Sequence, residues 1–485
     1  MAVAAAGAGR RLFQTFASLV GAELITRGLV LVTGLILARA LAPSQFGDFS
    51  YAFGVAQVAG LLVDLGLAAL VIRDVSADPS SAPRLLAAFL HAQVLLAIAT
   101  LALVALLTFA GVVGGPASNA EVLIATAAVC VGGASRPFEA TLTGRAQAHL
   151  VTISRTARGL VLIGGTVVVA VGSPSVSGFL IAWLIAEVVG ALAVGALCIA
   201  RSVRPLARDR RREVGRLLRM ALPFAIVTAA TVLYMRLDIL MLGHMKDAAE
   251  VGNYGVAMRL LDAAVILPAF FGNAFLATIS ATGPRSERGR MQTTEALPWI
   301  VLFTVPITIT LIAAADPLIR IITGGGYDQA AGVLARLAPF VVVSASYGVL
   351  SSMQISLDQI TLLMRLFAIG LIVKVTVNFW AIPRYGANGA AVTAVLAELT
   401  VALLQWRLSR RWFDVRVAAL GVGRVLVAGA VALAAMVWLV DRVWWPLGVV
   451  LGLGVYALAA FATRATSRDK IGEVMAAIRG RGAPA

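Results

Sequence analysis

Apolar residues in this chain run in blocks of roughly 20, the length that crosses a hydrocarbon core of ~30 Å as a helix, and short polar stretches separate them. A block apolar around its whole circumference predicts a helix that meets no water. Fourteen spans are predicted, over 16–41, 49–72, 85–110, 120–143, 151–172, 176–200, 220–243, 253–282, 297–319, 331–357, 362–382, 386–408, 417–440 and 444–463. The longest connections, 201–219 and 283–296, are too short to fold as separate domains. The expected fold class is therefore an all-α polytopic membrane protein whose work is done within the bilayer.

Composition agrees. Of 485 residues 60% are hydrophobic and 13% charged, with a mean hydropathy of +0.93, whereas a soluble domain carries about a quarter charged residues. A soluble enzyme is excluded on that ground. The first apolar stretch runs back towards Leu12, too long for a secretory h-region of about 7–15 residues, and reads as a retained first span. Cys130 and Cys198 sit inside apolar blocks and read as small buried hydrophobes.

Charge sets the expected orientation. With the N-terminus cytoplasmic, the cytoplasmic connections and tails hold 26 lysines and arginines, eight of them between Arg201 and Arg219, and the opposite side holds Lys246, Arg320, Arg384 and Arg442. That asymmetry is the positive-inside signature, and an even number of spans returns the C-terminus to the cytoplasm. The net charge of +16 is thereby spent on one membrane face, where it orients helices and attracts anionic lipid headgroups. Nucleic acid is not an expected partner.

The second half of the chain echoes the first. Phe46-Gly47-Asp48-Phe49 opens the second span and Val251-Gly252-Asn253-Tyr254 opens the eighth, six spans later. Six is even, so the halves share an orientation, as in transporters whose repeats are related by an axis along the membrane normal. The expected organisation is a six-helix bundle over 1–219 including a basic cytoplasmic loop, a second over 220–410, and a terminal helix pair with a basic tail over 411–485.

At these residues the sequence resembles a known family. Ala38-Arg39-Ala40-Leu41-Ala42-Pro43-Ser44-Gln45-Phe46-Gly47 is similar to the "AR-x-LGP-x-x-FG" turn of bacterial polysaccharide and oligosaccharide-lipid flippases, with Ala42 where the family usually has Gly. These flippases belong to the multidrug/oligosaccharidyl-lipid/polysaccharide exporter superfamily. Asp64-Leu65-Gly66-Leu67 followed by Arg73 looks like the family's second helix, and Leu222-Pro223 through Asp238 to Gly252-Asn253-Tyr254 like its seventh-to-eighth hairpin. Asn378, followed by Ile382-Pro383-Arg384-Tyr385-Gly386-Ala387-Asn388-Gly389-Ala390-Ala391, resembles the "N-x-x-x-IP-x-YG-x-x-GAA" hairpin of helices eleven and twelve.

The resemblance implies a transporter, not an enzyme, in a bacterial plasma (inner) membrane. It implies a substrate of oligosaccharide joined through pyrophosphate to a polyprenyl lipid, flipped to the outer leaflet by alternating access. A peptidoglycan-precursor lipid flippase and a multidrug or cation antiporter of the same superfamily remain alternatives. So does, from another class, a polytopic glycosyltransferase or polysaccharide polymerase. Against that last one, the chain has short outer loops and no D-x-D, G-x-S-x-G or H-E-x-x-H, and His91, His149 and His244 have no ligand spacing. No metal or cofactor is expected.

Charges inside the spans are the candidate site. An ionisable side chain at mid-bilayer is costly and usually faces a bundle interior or an aqueous cavity. Glu23 and Arg27 are four apart on the first span, Arg155 and Arg158 three apart on the fifth, and Arg259 and Asp262 three apart on the eighth. Arg236 and Asp238 lie near the end of the seventh, and Lys374 and Asn378 share a face of the eleventh. Arg27, Arg155, Arg158, Arg236, Arg259, Lys374 and Asn378 are the expected substrate contacts, since arginine clusters suit phosphate oxygens. Asp238, Asp262, Asp64, Glu398 and Glu23 are the candidates for binding a coupling ion, H⁺ or Na⁺. Arg39, Arg136 and Arg424 sit near span ends, where the charge can snorkel to the headgroups.

Overall fold

Where the sequence runs apolar, the backbone has no water to bond, so every amide must find its partner within a helix. The computed structural model describes residues 28–201, 205 and 210–465, and of Asp64, 210–212, 222–231 and Leu267 it describes the backbone alone. Among those residues there are helices, turns and no strands. They are α1 (Gly28–Ala40), α2 (Pro43–Asp64), α3 (Leu67–Ala77), α4 (Ala82–Phe109), α5 (Asn119–Gly133), α6 (Arg136–Gly144), α7 (Ala148–Gly172), α8 (Val176–Ala200) and α9 (Arg210–Met245). There follow α10 (Ala248–Ala264), α11 (Ile266–Thr282), α12 (Glu287–Ala313), α13 (Ala315–Thr323), α14 (Ala330–Leu337), α15 (Pro339–Ser356), α16 (Ile360–Ser409), α17 (Val415–Val440) and α18 (Trp445–Ala462). Ten of these helical stretches are long and apolar enough to cross a membrane, which is compatible with the expected fourteen.

Several predicted spans are broken helices. The second is α2 and α3, parted at Leu65 and Gly66, both left-handed (φ 46° and 74°). The Val63 carbonyl at that break accepts a hydrogen bond from the buried Gln93 Nε2 at 2.9 Å. Gly133, at the break between α5 and α6, leaves room for that same amide, since a Cβ there would approach Gln93 Nε2 to 2.6 Å. One glutamine thus lies beside the interruptions of two spans. Other spans start earlier than predicted: α9 takes in part of the basic 201–219 connection, and α12 begins at Glu287, capped by Ser286 Oγ accepting from Gly289 N at 2.9 Å.

The chain divides into two compact units, Met1–Gly255 and Val256–Ala485. In the first, α2 is central, packed by α4, α5, α8 and α9. A core of Leu67, Leu70, Val71 and Val75 of α3 with Leu85, Leu86 and Phe89 of α4 lies beside it, closed by Leu142, Val194 and Leu217. In the second unit, α12 is the common partner of α11, α15 and α17, and α17 pairs with α18. Gly421 and Gly429 let α17 approach Pro298 and Val305 of α12, and the Tyr456 hydroxyl donates to the Leu302 carbonyl at 2.9 Å.

Helix α16 would be about 75 Å long if straight, far beyond a ~30 Å core. It folds back at Gly386 (φ 55°, ψ −135°). A Cβ on Gly389 would strike the carbonyl oxygen of Ala381, eight residues back, a contact no continuous helix makes. The two predicted spans 362–382 and 386–408 are therefore a hairpin.

Large apolar side chains such as Phe109, Val171, Leu192, Phe379 and Leu458 are exposed. On a soluble protein such surface would be an aggregation liability; here it is the lipid-facing surface. Arg384 stacks over Trp380 at 4.9 Å and Arg442 over Trp438 at 4.2 Å, the amphipathic pairing expected at headgroup level.

Candidate functional site

Helix periodicity separates two faces on α7 and α8. On α7, Ile153, Leu160, Val167 and Val171 form an exposed apolar stripe, and Arg155 and Arg158 lie on the opposite face. On α8, Ile181, Ile185, Val188, Leu192 and Ile199 are the exposed stripe, with Trp183 and Glu187 opposite. The charges of both helices therefore turn away from lipid into the first unit.

There they pair. Arg155 binds Glu139 of α6 through two hydrogen bonds, Nη2 to Oε2 at 2.7 Å and Nε to Oε1 at 3.3 Å. Arg158 Nη1 meets Glu187 Oε2 at 3.0 Å, and the other oxygen of Glu187 accepts from Trp183 Nε1 at 3.0 Å. Small residues make the space: a Cβ on Gly132 would come within 2.7 Å of Glu187 Oε2, and one on Gly190 within 2.9 Å of Arg158 Cδ. Trp183 continues the row to Phe53 of α2, ring centroids 5.1 Å apart. Beyond it Arg236 of α9 lies 5.9 Å over the Phe53 ring and donates through Nε to Gln57 Oε1 at 3.3 Å. Five helices thus contribute to one polar row. The Arg155 and Arg158 side chains retain 39% and 29% exposure on the face turned away from the apolar stripe, so neither guanidinium is sealed in apolar packing.

Asp238 is held differently. It is 2% exposed and accepts a hydrogen bond from the Tyr254 hydroxyl at 3.0 Å, a fully buried link between α9 and the first turns of α10. Arg259 and Asp262, half-buried, lie on the later part of α10, which belongs to the second unit.

The second unit has its own polar cluster. Lys374 is 2% exposed, and Asn378 and Glu398 are wholly buried. Tyr347 of α15 stands beside Glu398 and packs edge-on against Phe367, centroids 5.9 Å apart.

Of the expected site residues, Arg155, Arg158 and Arg236 come together in the first unit, and Lys374, Asn378 and Glu398 in the second. Glu23, Arg27 and the side chain of Asp64 lie outside the described residues. Sequence reasoning missed Glu139 and Glu187 as partners of the fifth-span arginines, because both come from other helices. It also missed Phe53, Gln57, Trp183, Tyr254 and Tyr347; the four-residue spacing of Trp183 and Glu187 was the one available signal. No group of three or more metal-ligating side chains occurs among the described residues.

A family model described as polysaccharide biosynthesis protein matches residues 12–283. The probable flippase AglR of Haloferax volcanii is 26% identical over 251 residues, 47% of this chain and 49% of that protein. The chain thus spans about half the length of that curated relative. Among solved structures, the lipid II flippase MurJ in an inward closed conformation matches with a TM-score of 0.76 and 14% identity, covering 91% of this chain and 98% of that one. An inward-facing multidrug resistance MATE family transporter of the MOP superfamily matches with a TM-score of 0.65 and 15% identity, covering 83% and 98%. At these identities the likeness is one of fold.

Proposed function

We propose, since the chain belongs to the polysaccharide biosynthesis protein family, that it is a flippase. It moves a polyprenyl-pyrophosphate-linked oligosaccharide from the cytoplasmic to the outer leaflet of a bacterial plasma membrane by alternating access. Both termini are cytoplasmic in this reading, in keeping with the basic residues of the 201–219 segment and the tail.

The observation that carries the reading is the row of Arg155, Arg158 and Arg236 on faces turned away from lipid. A pyrophosphate headgroup needs several forked donors, and guanidinium supplies them in pairs. Each arginine of the α7 pair holds a carboxylate in this structure, so its charge is balanced until a stronger anion arrives. The headgroup displaces Glu139 or Glu187 from its arginine, and the sugars meet the polar and aromatic flank of Gln57, Phe53 and Trp183. The polyprenyl tail stays among the exposed apolar side chains, so only the headgroup needs shelter in transit. Arg27 is a further contact in this proposal, and an intramembrane carboxylate couples the step to an ion.

Flipping in proteoliposomes of a fluorescent polyprenyl pyrophosphate carrying one N-acetylglucosamine tests it. The parent protein is expected to expose the probe to an external quencher faster than empty vesicles, and Arg155→Ala with Arg158→Ala to abolish the difference. Equal rates with and without the parent protein would overturn the reading.

A further inference from the structure

The second unit keeps charge that its packing does not require. Lys374, Asn378 and Glu398, at most 2% exposed, all sit in α16, a stretch apolar enough to span a membrane. A buried ion pair is often no more stabilising than apolar residues of the same volume, because desolvation offsets the attraction. Stability therefore gives no reason for these groups.

The hairpin explains how they meet. Lys374 and Glu398 are each twelve residues from Gly386, where α16 reverses, so they stand at the same level on its two arms. Asn378 is one turn from Lys374 on the same buried face. From α15 Tyr347 stands beside Glu398. The charged group of α14, Arg336, lies at another level: its Nη1 donates to the Gly332 carbonyl at 2.8 Å, beside Asn388 near the reversal.

We propose that Lys374, Asn378, Glu398 and Tyr347 form a proton-exchange site, with Lys374 as a fixed cation and Glu398 as the group that gains and loses the proton. This rests on the flippase reading and names its coupling ion. A metal cation fits the cluster poorly. Lys374 offers three donors and no acceptor, it already places a positive charge where the metal would sit, and the remaining oxygens are fewer than the six or so that a hard cation gathers. A proton needs one carboxylate oxygen.

In the resting state the Glu398 carboxylate and the Lys374 ammonium offset each other's charge across the two arms of the hairpin. Proton uptake turns Glu398 into a neutral carboxylic acid and leaves the Lys374 ammonium as the charge of the cluster. The cluster goes from neutral to one positive charge, and release reverses each step. Whatever factor headgroup binding applies to the proton affinity of the cluster, proton binding applies to the headgroup affinity in return. At 2% exposure Lys374 is also out of reach of a headgroup in this structure, which fits a fixed cation better than a substrate contact.

The test uses full-length protein in proteoliposomes with the same fluorescent probe, under a pH gradient at equal Na⁺, a Na⁺ gradient at equal pH, or no gradient. The parent is expected to flip about tenfold faster under the pH gradient and to ignore the Na⁺ gradient. Glu398→Gln is expected to erase the difference between the pH gradient and none, and Lys374→Glu combined with Glu398→Lys to restore part of it. Acceleration of the parent by Na⁺, or by neither gradient, overturns the proton site while leaving the flippase reading standing. Absence of flipping by the parent under all three conditions overturns both. A pH response retained in full by Glu398→Gln overturns the site too; should that variant fail to accumulate in the membrane, Lys374→Met combined with Glu398→Gln, which leaves no charge unbalanced, decides in the same way.

Discussion

Gly47 of α2 and Gly252 of α10 face each other's helix through one reciprocal contact. A Cβ on Gly47 would run into the carbonyl oxygen of Ala248, and a Cβ on Gly252 into that of Pro43. Each struck residue lies four positions before the other glycine, so both contacts follow one offset of 205 residues. Gly255 obeys the same offset, since a Cβ there would come within 2.5 Å of Ser50 Oγ. The two segments that echo each other in sequence therefore touch, related by a local two-fold. Backbone against backbone at this distance requires glycine on both sides, as in the small-residue crossings of membrane helices.

This crossing yields a stability prediction. Gly47→Ala and Gly252→Ala each force the helices apart, at about 1–3 kcal/mol. Because both strain the same contact, the double variant is expected to cost less than the sum of the two. Thermal unfolding in detergent measures it; strictly additive losses would show that the two glycines act independently.

The Arg158–Glu187 pair separates packing from function. Removing one partner leaves the other charge in a poorly hydrated setting, so Arg158→Leu and Glu187→Leu are each expected to destabilise by about 1–3 kcal/mol, less than a fully buried pair because Arg158 keeps water contact. The double change to leucine recovers most of that stability, and it stays inactive in the flipping assay. A double variant that is both stable and fully active would make the pair a packing device and remove it from the site.

How far the sequence reached depends on the range of the cause. Span positions were legible because each block carries its own apolar run, and the α16 reversal was marked by Pro383 and Gly386. The break at Leu65 was not legible, because its open carbonyl is satisfied by Gln93 from another helix and a left-handed leucine carries no local signal. Arg155 and Arg158 were identifiable as costly charges, but their partners come from α6 and α8, and one sequence does not say which helices adjoin. The echo of Phe46–Phe49 in Val251–Tyr254 suggested a repeat; that the copies pack on each other follows from the fold alone.

Orientation is open to a direct test. A reporter active only outside the cytoplasm is expected to be silent when fused after Pro205 and active when fused after Asp441. Pro205 is chosen because α9 begins at Arg210, so the fusion leaves that helix whole. The same signal from both fusions would overturn the orientation or the span count.

Asp238 and Glu398 are both buried carboxylates, and the proton site assigns them different parts. Asp238 accepts from Tyr254 at 3.0 Å beside the Gly47–Gly252 crossing, where α10 sets out from α9. A hydrogen bond to a charged acceptor contributes about 1.5–3 kcal/mol, so Tyr254→Phe is expected to lower thermal stability by that order. Asp238→Asn can still accept from the Tyr254 hydroxyl through its amide oxygen and should be milder. If Asp238 only ties these helices together, Asp238→Asn keeps the acceleration by a pH gradient that Glu398→Gln loses. Measured side by side in proteoliposomes, loss of the pH response in Asp238→Asn and its retention in Glu398→Gln would move the exchangeable proton from the α16 hairpin to the α9–α10 junction.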